Sequence, residues 1–131
     1  MSKRRSVERA EFLGDVLGTA LEGGIGYWSA ASEIHRVGDY PHGDWQYSAV
    51  TLFEVGDGDT TCSVTNADCE GHRVDLDGVA RGIAALLAPG GTYRHRVLLA
   101  HANRHNDAGE IDADIADAIV QCAALGSLVY G

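Results

Sequence analysis

The sequence is poor in several residue types that particular chemistries require. Its only lysine is Lys3, so nothing can complete a phosphate-binding P-loop. No serine sits in a GxSxG context, which removes the nucleophile elbow of the α/β-hydrolases. The three cysteines, Cys62, Cys69 and Cys122, are too few and too irregularly spaced for a disulfide framework. They form no CxxC pair either, and read as reduced, small buried hydrophobes. No apolar run approaches a membrane span, and the basic start is not followed by a signal-peptide core. The expectation is a cytoplasmic protein with no membrane partner. Linkers, repeats and low-complexity stretches are also missing, which predicts one domain over 1–131 with residues 1–6 as a flexible basic terminus.

The 131 residues are 45% hydrophobic and 22% charged, enough apolar chain for a core and not a disordered composition. The net charge of −9 is unevenly spread. Lys3, Arg4, Arg5 and Arg9 crowd the N-terminus, whereas residues 10–131 carry 6 basic and 18 acidic residues. Such an acidic body argues against nucleic acid as a partner, because binding it requires cations that displace counterions.

Periodicity places the elements. A helix is expected from Val7 to Glu22, capped by Ser6 and ended by Gly23-Gly24, with Leu13, Val16, Leu17, Ala20 and Leu21 as its apolar stripe. Ile25–Val37 reads as a strand, with Trp28, Ala30 and Ile34 on one face and Tyr27, Ser29, Glu33 and His35 on the other. A loop over Gly38–Asp44 leads to a clear strand at Tyr47–Val55. A turn at Gly56–Asp59, a strand within Thr60–Val64 and a short pairing segment at His72–Val74 follow. Asp75 caps a second helix running to about Leu87, and Pro89-Gly90-Gly91 stops it. Thr92 is expected to cap a third helix from Tyr93 to about Asn103. The last helix starts after Asp112 and ends at Gly126, and a closing strand is expected at Ser127–Tyr130. Helix, strands, then helices is the α+β pattern: a small antiparallel sheet of three to four strands with three to four helices packed on it.

Chemistry-bearing side chains concentrate in His101–Leu125. His101 and His105 are one helical turn apart, with Asp107 or Glu110 available as a third ligand, so a divalent metal is one possibility. The pattern is not HExxH, and the Asn106–Gly109 stretch signals that the helix has ended. The competing structural reading keeps His101 as a hydrogen-bonded core residue and His105 exposed. Asp112, Asp114 and Asp117 fall at the cap and early turns of the last helix, where the dipole favours acids. Asp114, Asp117 and Gln121 then read as its solvated face. The functional alternatives are an oxygen-ligand cation site or a phosphate-mimicking surface. Asn66–Gly71 with Asp77 approximates an EF-hand loop, but Arg73 stands where an apolar residue belongs and no helix enters. Tyr27 and Trp28 follow Gly23-Gly24-Ile25-Gly26, and with Glu33, His35 and Arg36 they form the first expected ligand site. Asn106, Asp107, Asp112 and Asp114 form the second. Trp28 has a competing reading as a core residue.

Two stretches, Phe12–Trp28 with its EGGIGYW end and Asn106–Gln121 with the LVYG that closes the chain, resemble a group of small proteins encoded by actinobacteriophages and actinobacterial plasmids. Nine arginines among ten cations match the coding bias of a GC-rich genome. The group has no settled activity, so the resemblance implies context only: an accessory gene of a mobile element. The expected function is a non-enzymatic, homo-oligomeric binding protein that captures a small anionic or nucleotide-like ligand, or a host protein, against a host defence. No cofactor is expected on this reading. The alternative is a metal-dependent hydrolase on His101, His105 and Asp107. A third reading is an inhibitor that engages a basic host protein through Asp114 and Asp117.

Overall fold

The computed structural model of the chain describes residues 6–40, 44–55 and 71–130. The expected turn at Gly56–Asp59, the strand within Thr60–Val64, Cys62, Cys69, the EF-hand-like residues 66–70 and the basic residues before Ser6 lie outside them.

Helix α1 spans Val7–Thr19, and the Ser6 hydroxyl accepts the Arg9 N–H at 3.1 Å, as a cap should. The helix then widens into a π turn over Ala20–Gly24, closed by the Ile25 N–H on the Ala20 carbonyl. Strand β1 (Ser29–Tyr40) pairs antiparallel with β2 (Asp44–Glu54), and β2 pairs antiparallel with β3 (His72–Asp75). The sheet order is therefore β1-β2-β3. Helix α2 covers Leu76–Leu86 and is capped by Asp75, whose carboxylate accepts the Gly78 N–H at 2.8 Å. Helix α3 covers Arg96–His105, a 3-10 turn follows at Ala108–Glu110, and α4 covers Ala113–Leu125. This is a single α+β architecture.

One face of the sheet carries the core. Val50, Leu52 and Val74 are fully buried, while Thr51 and Phe53 between them are half covered and Arg73 is exposed. Phe12, Leu13, Val16 and Leu17 of α1, Val79 and Ile83 of α2, and Ile115 and Ile119 of α4 close over that face. Helix α4 is central, packing against α2, α1, β3 and the π turn. Its contact with α2 depends on Gly82, where an added Cβ would run into the Ile119 carbonyl oxygen.

Four local expectations change. The loop after β1 is shorter than Gly38–Asp44, since β1 continues to Tyr40 and β2 begins at Asp44. The strand expected over Ile25–Val37 begins only at Ser29, because Ile25–Trp28 form a bend and turn, and its alternation is broken beyond Ser32. The pairing shifts register between Ser32 and His35, where Glu33 takes φ 48°. The register shifts back between His35 and Arg36, so the irregularity is a local bulge that leaves Ile34 exposed. Helix α3 starts at Arg96 rather than Tyr93, because Tyr93–His95 form a turn and no side chain caps the helix. Finally, Ser127–Tyr130 is not a strand. The Gln121 side-chain amide holds it instead, its Oε1 accepting the Val129 and Tyr130 N–H groups at 2.9 and 2.8 Å. Its Nε2 donates to the Tyr130 carbonyl at 3.0 Å. This amide satisfies the backbone as a neighbouring strand would, so no ladder is needed.

Candidate functional site: a cleft between α4, the α2–α3 connection and the C-terminal strap

The site starts from a buried polar cluster on α4. Asp117 is 9% exposed and Gln121 fully buried, so the expected solvated stripe of Asp114, Asp117 and Gln121 is corrected for its last two members. Burial of such groups requires hydrogen-bond partners, and the preceding segment supplies them. Trp28 Nε1 donates to Asp117 Oδ1 at 2.7 Å and Tyr27 donates its hydroxyl to Oδ2 at 2.6 Å. Gln121 Nε2 adds a bond to Oδ1 at 3.0 Å. Three donors thus converge on two carboxylate oxygens, and no ion is required to balance the geometry.

The strap completes the cluster. Tyr130 stacks on Trp28 with ring centroids 5.4 Å apart and planes 10° apart, and its hydroxyl reaches Glu54 Oε1 at 2.5 Å. Gly126, at φ 86°, is the left-handed C-cap that turns the chain out of α4 and along this surface.

Beside the cluster lies a cleft of about 900 Å³. Tyr27, Asp117, Gln121 and Tyr130 line it on one side, and Tyr93, Arg94 and His95 on the other. Asp114 and Cys122 of α4 also face it. Partial desolvation of its hydroxyl, reinforced by the bond to the Asp117 carboxylate, pushes the Tyr27 phenol up to about 12, although the residue is 54% exposed. Burial and the Asp112 carboxylate do the same for Tyr93, also to about 12. Burial raises the Cys122 thiol as well. At neutral pH both phenols are therefore hydrogen-bond donors and the thiol is not a nucleophile.

The two expected ligand sites each contribute one residue to this cleft, Tyr27 from the first and Asp114 from the second. Trp28 is 1% exposed and acts from below, as a core residue. Glu33, His35 and Arg36 are exposed on β1 and do not line the cleft. Glu33 instead accepts the Thr51 hydroxyl at 3.2 Å, the His35 carbonyl accepts the Ser48 hydroxyl at 3.2 Å, and the Arg36 guanidinium lies 5.1 Å over the Tyr47 ring. Asn106 is the left-handed C-cap of α3 and accepts Arg9 Nη1 at 3.0 Å. Arg9 also bonds the Asn103 carbonyl and side chain, so this corner joins α1 to α3. Asp107 caps the 3-10 turn through the Gly109 N–H, and Asp112 caps α4 through the Ile115 N–H.

His101 and His105 are both exposed, which corrects the core reading of His101, and their ring centroids are 4.5 Å apart. Among the described residues no three His, Cys, Asp or Glu side chains come together as a metal would need. The third expected ligand, Asp107, points its carboxylate at its own turn. The sequence reading missed Tyr93, Arg94, His95 and the buried role of Gln121. One signal was present: α4 carries Ala113, Ala116, Val120 and Ala124 on its supposedly polar side, and a helix apolar all round is a buried one.

Comparison with known proteins adds nothing to this geometry: no family model, no curated protein and no solved structure matches the chain. Among the described residues no helix is long and apolar enough to cross a membrane.

Proposed function

We propose that this protein is a binding protein that captures a small anionic or nucleotide-like ligand in the cleft beside α4. One observation carries the reading. The cleft has the volume of a small-molecule site and sets the exposed Arg94 beside Tyr27 and Tyr93. Arg94 at the rim suits a phosphate or carboxylate. Tyr27 and Tyr93 offer flat faces, Tyr93 adds a hydroxyl donor, and Asp114 suits the amino edge of a base. The resemblance to proteins of mobile elements fits such capture to a role against a host defence.

The test is thermal shift and calorimetric titration with adenine and guanine mono-, di- and triphosphates and with cyclic dinucleotides. Saturable binding that weakens at least tenfold in Arg94→Glu, with an unchanged melting temperature for the free variant, is expected. Failure of every nucleotide to bind, or equal affinity in Arg94→Glu, refutes the reading.

A further inference from the structure

The acidic body has one region of opposite character. Residues 92–106 contain three arginines and three histidines and no Asp or Glu. Arg96 is taken up internally, donating to the Leu87 and Ala88 carbonyls at 2.7 and 2.9 Å and so capping the end of α2. The inner side of α3 is also committed, since Leu99 and Ala102 are fully buried. The outer side is a stripe. Val97, Leu98, His101, Arg104 and His105 recur at helical spacing and are all exposed, with Arg94 continuing the line before the helix begins. Val97 is 85% exposed and Leu98 37%. Among the described residues neither Arg94 nor Arg104 forms a salt bridge.

Isolated exposed valines need no explanation. Here two neighbouring apolar side chains sit between cations at both ends of the stripe, and the paired rings of His101 and His105 extend it. The stripe from Val97 to His105 is about 12 Å long at the rise of an α-helix, which matches two turns of a facing helix. We infer that the outer face of α3 docks an acidic amphipathic helix of another protein, with an apolar residue against Val97 and Leu98 and acids opposite Arg94 and Arg104. Charge complementarity selects this partner. A second copy would bring the same cationic stripe against itself across a two-fold axis. A nucleic-acid backbone would leave the apolar Val97 and Leu98 without a matching partner. This face meets the cleft at Arg94, which serves both, and otherwise lies apart from it, since neither Val97 nor Arg104 lines the cleft.

The test is fluorescence anisotropy with a labelled helical peptide that carries leucines one turn apart flanked by glutamates. Competitors are a peptide with lysines in place of the glutamates and a DNA duplex. Expected are micromolar binding to the acidic peptide that weakens with added salt, and at least tenfold weaker binding in both Val97→Asp and Arg104→Glu. Far-ultraviolet dichroism and melting temperature should match the unaltered protein in both variants. Absence of binding, binding indifferent to both substitutions, or preferential displacement by the DNA duplex overturns the inference. Val97 and Arg104 lie outside the cleft, so both variants should leave nucleotide binding unchanged, and failure of either reading is seen separately.

Discussion

Replacing Gln121 with leucine tests whether one side-chain amide organises the cleft. Leucine fills nearly the same volume without the polar atoms. It removes three bonds to the strap, from Val129 N, from Tyr130 N and to Tyr130 O, and two to the cluster, at Asp117 and Tyr27. At about 1 kcal/mol net for each bond the upper bound is about 5 kcal/mol. Part is recovered, because released strap groups regain water and Asp117 keeps its bonds from Trp28 and Tyr27. The expected loss is about 3 kcal/mol, or a melting temperature lower by roughly 10 °C for a domain of this size. Urea unfolding followed by circular dichroism measures it. In a Trp45→Phe background the remaining Trp28 should shift its emission to the red, because its stacking partner Tyr130 leaves with the strap. A Tyr130→Ala variant should then add little to Gln121→Leu, since both act through the same strap. A loss below about 1 kcal/mol with unaltered Trp28 emission would refute this account of the strap.

Gly82→Ala places a Cβ against the Ile119 carbonyl and must separate α2 from α4, so it should cost about 1–3 kcal/mol in the same unfolding assay. Raising the pH from 10 to 12 should erode stability. A phenol whose folded pKa is raised to about 12 stabilises the fold fully below its unfolded value of 10.0 and loses that contribution as pH rises toward about 12. Absorbance titration of tyrosinate should show late-ionising phenols, and Tyr27→Phe with Tyr93→Phe should flatten the alkaline loss.

The legible parts of the fold were those fixed by neighbours in sequence. Ser6, Asp75 and Asp112 cap the helices they were expected to cap, because an N-cap bond joins residues three apart. The stop at Gly126 was legible for the same reason. The faces of β1 were not, because the bulge at Glu33 is a relation between two strands rather than a property of one. Little of the candidate cleft was legible. Tyr27 and Asp114 stood in the two expected sites, but 87 residues separate them, and nothing local joins a strand entry to the first turn of a distant helix.

Composition, caps and periodicity determined that this chain is an α+β domain with an acidic body. These follow from residue identity and spacing, which act locally. Only tertiary packing decided that Asp117 and Gln121 would be enclosed rather than solvated. Helix α4 is surrounded on several sides, and a carboxylate in that position persists because Tyr27, Trp28 and Gln121 bring their donors to it.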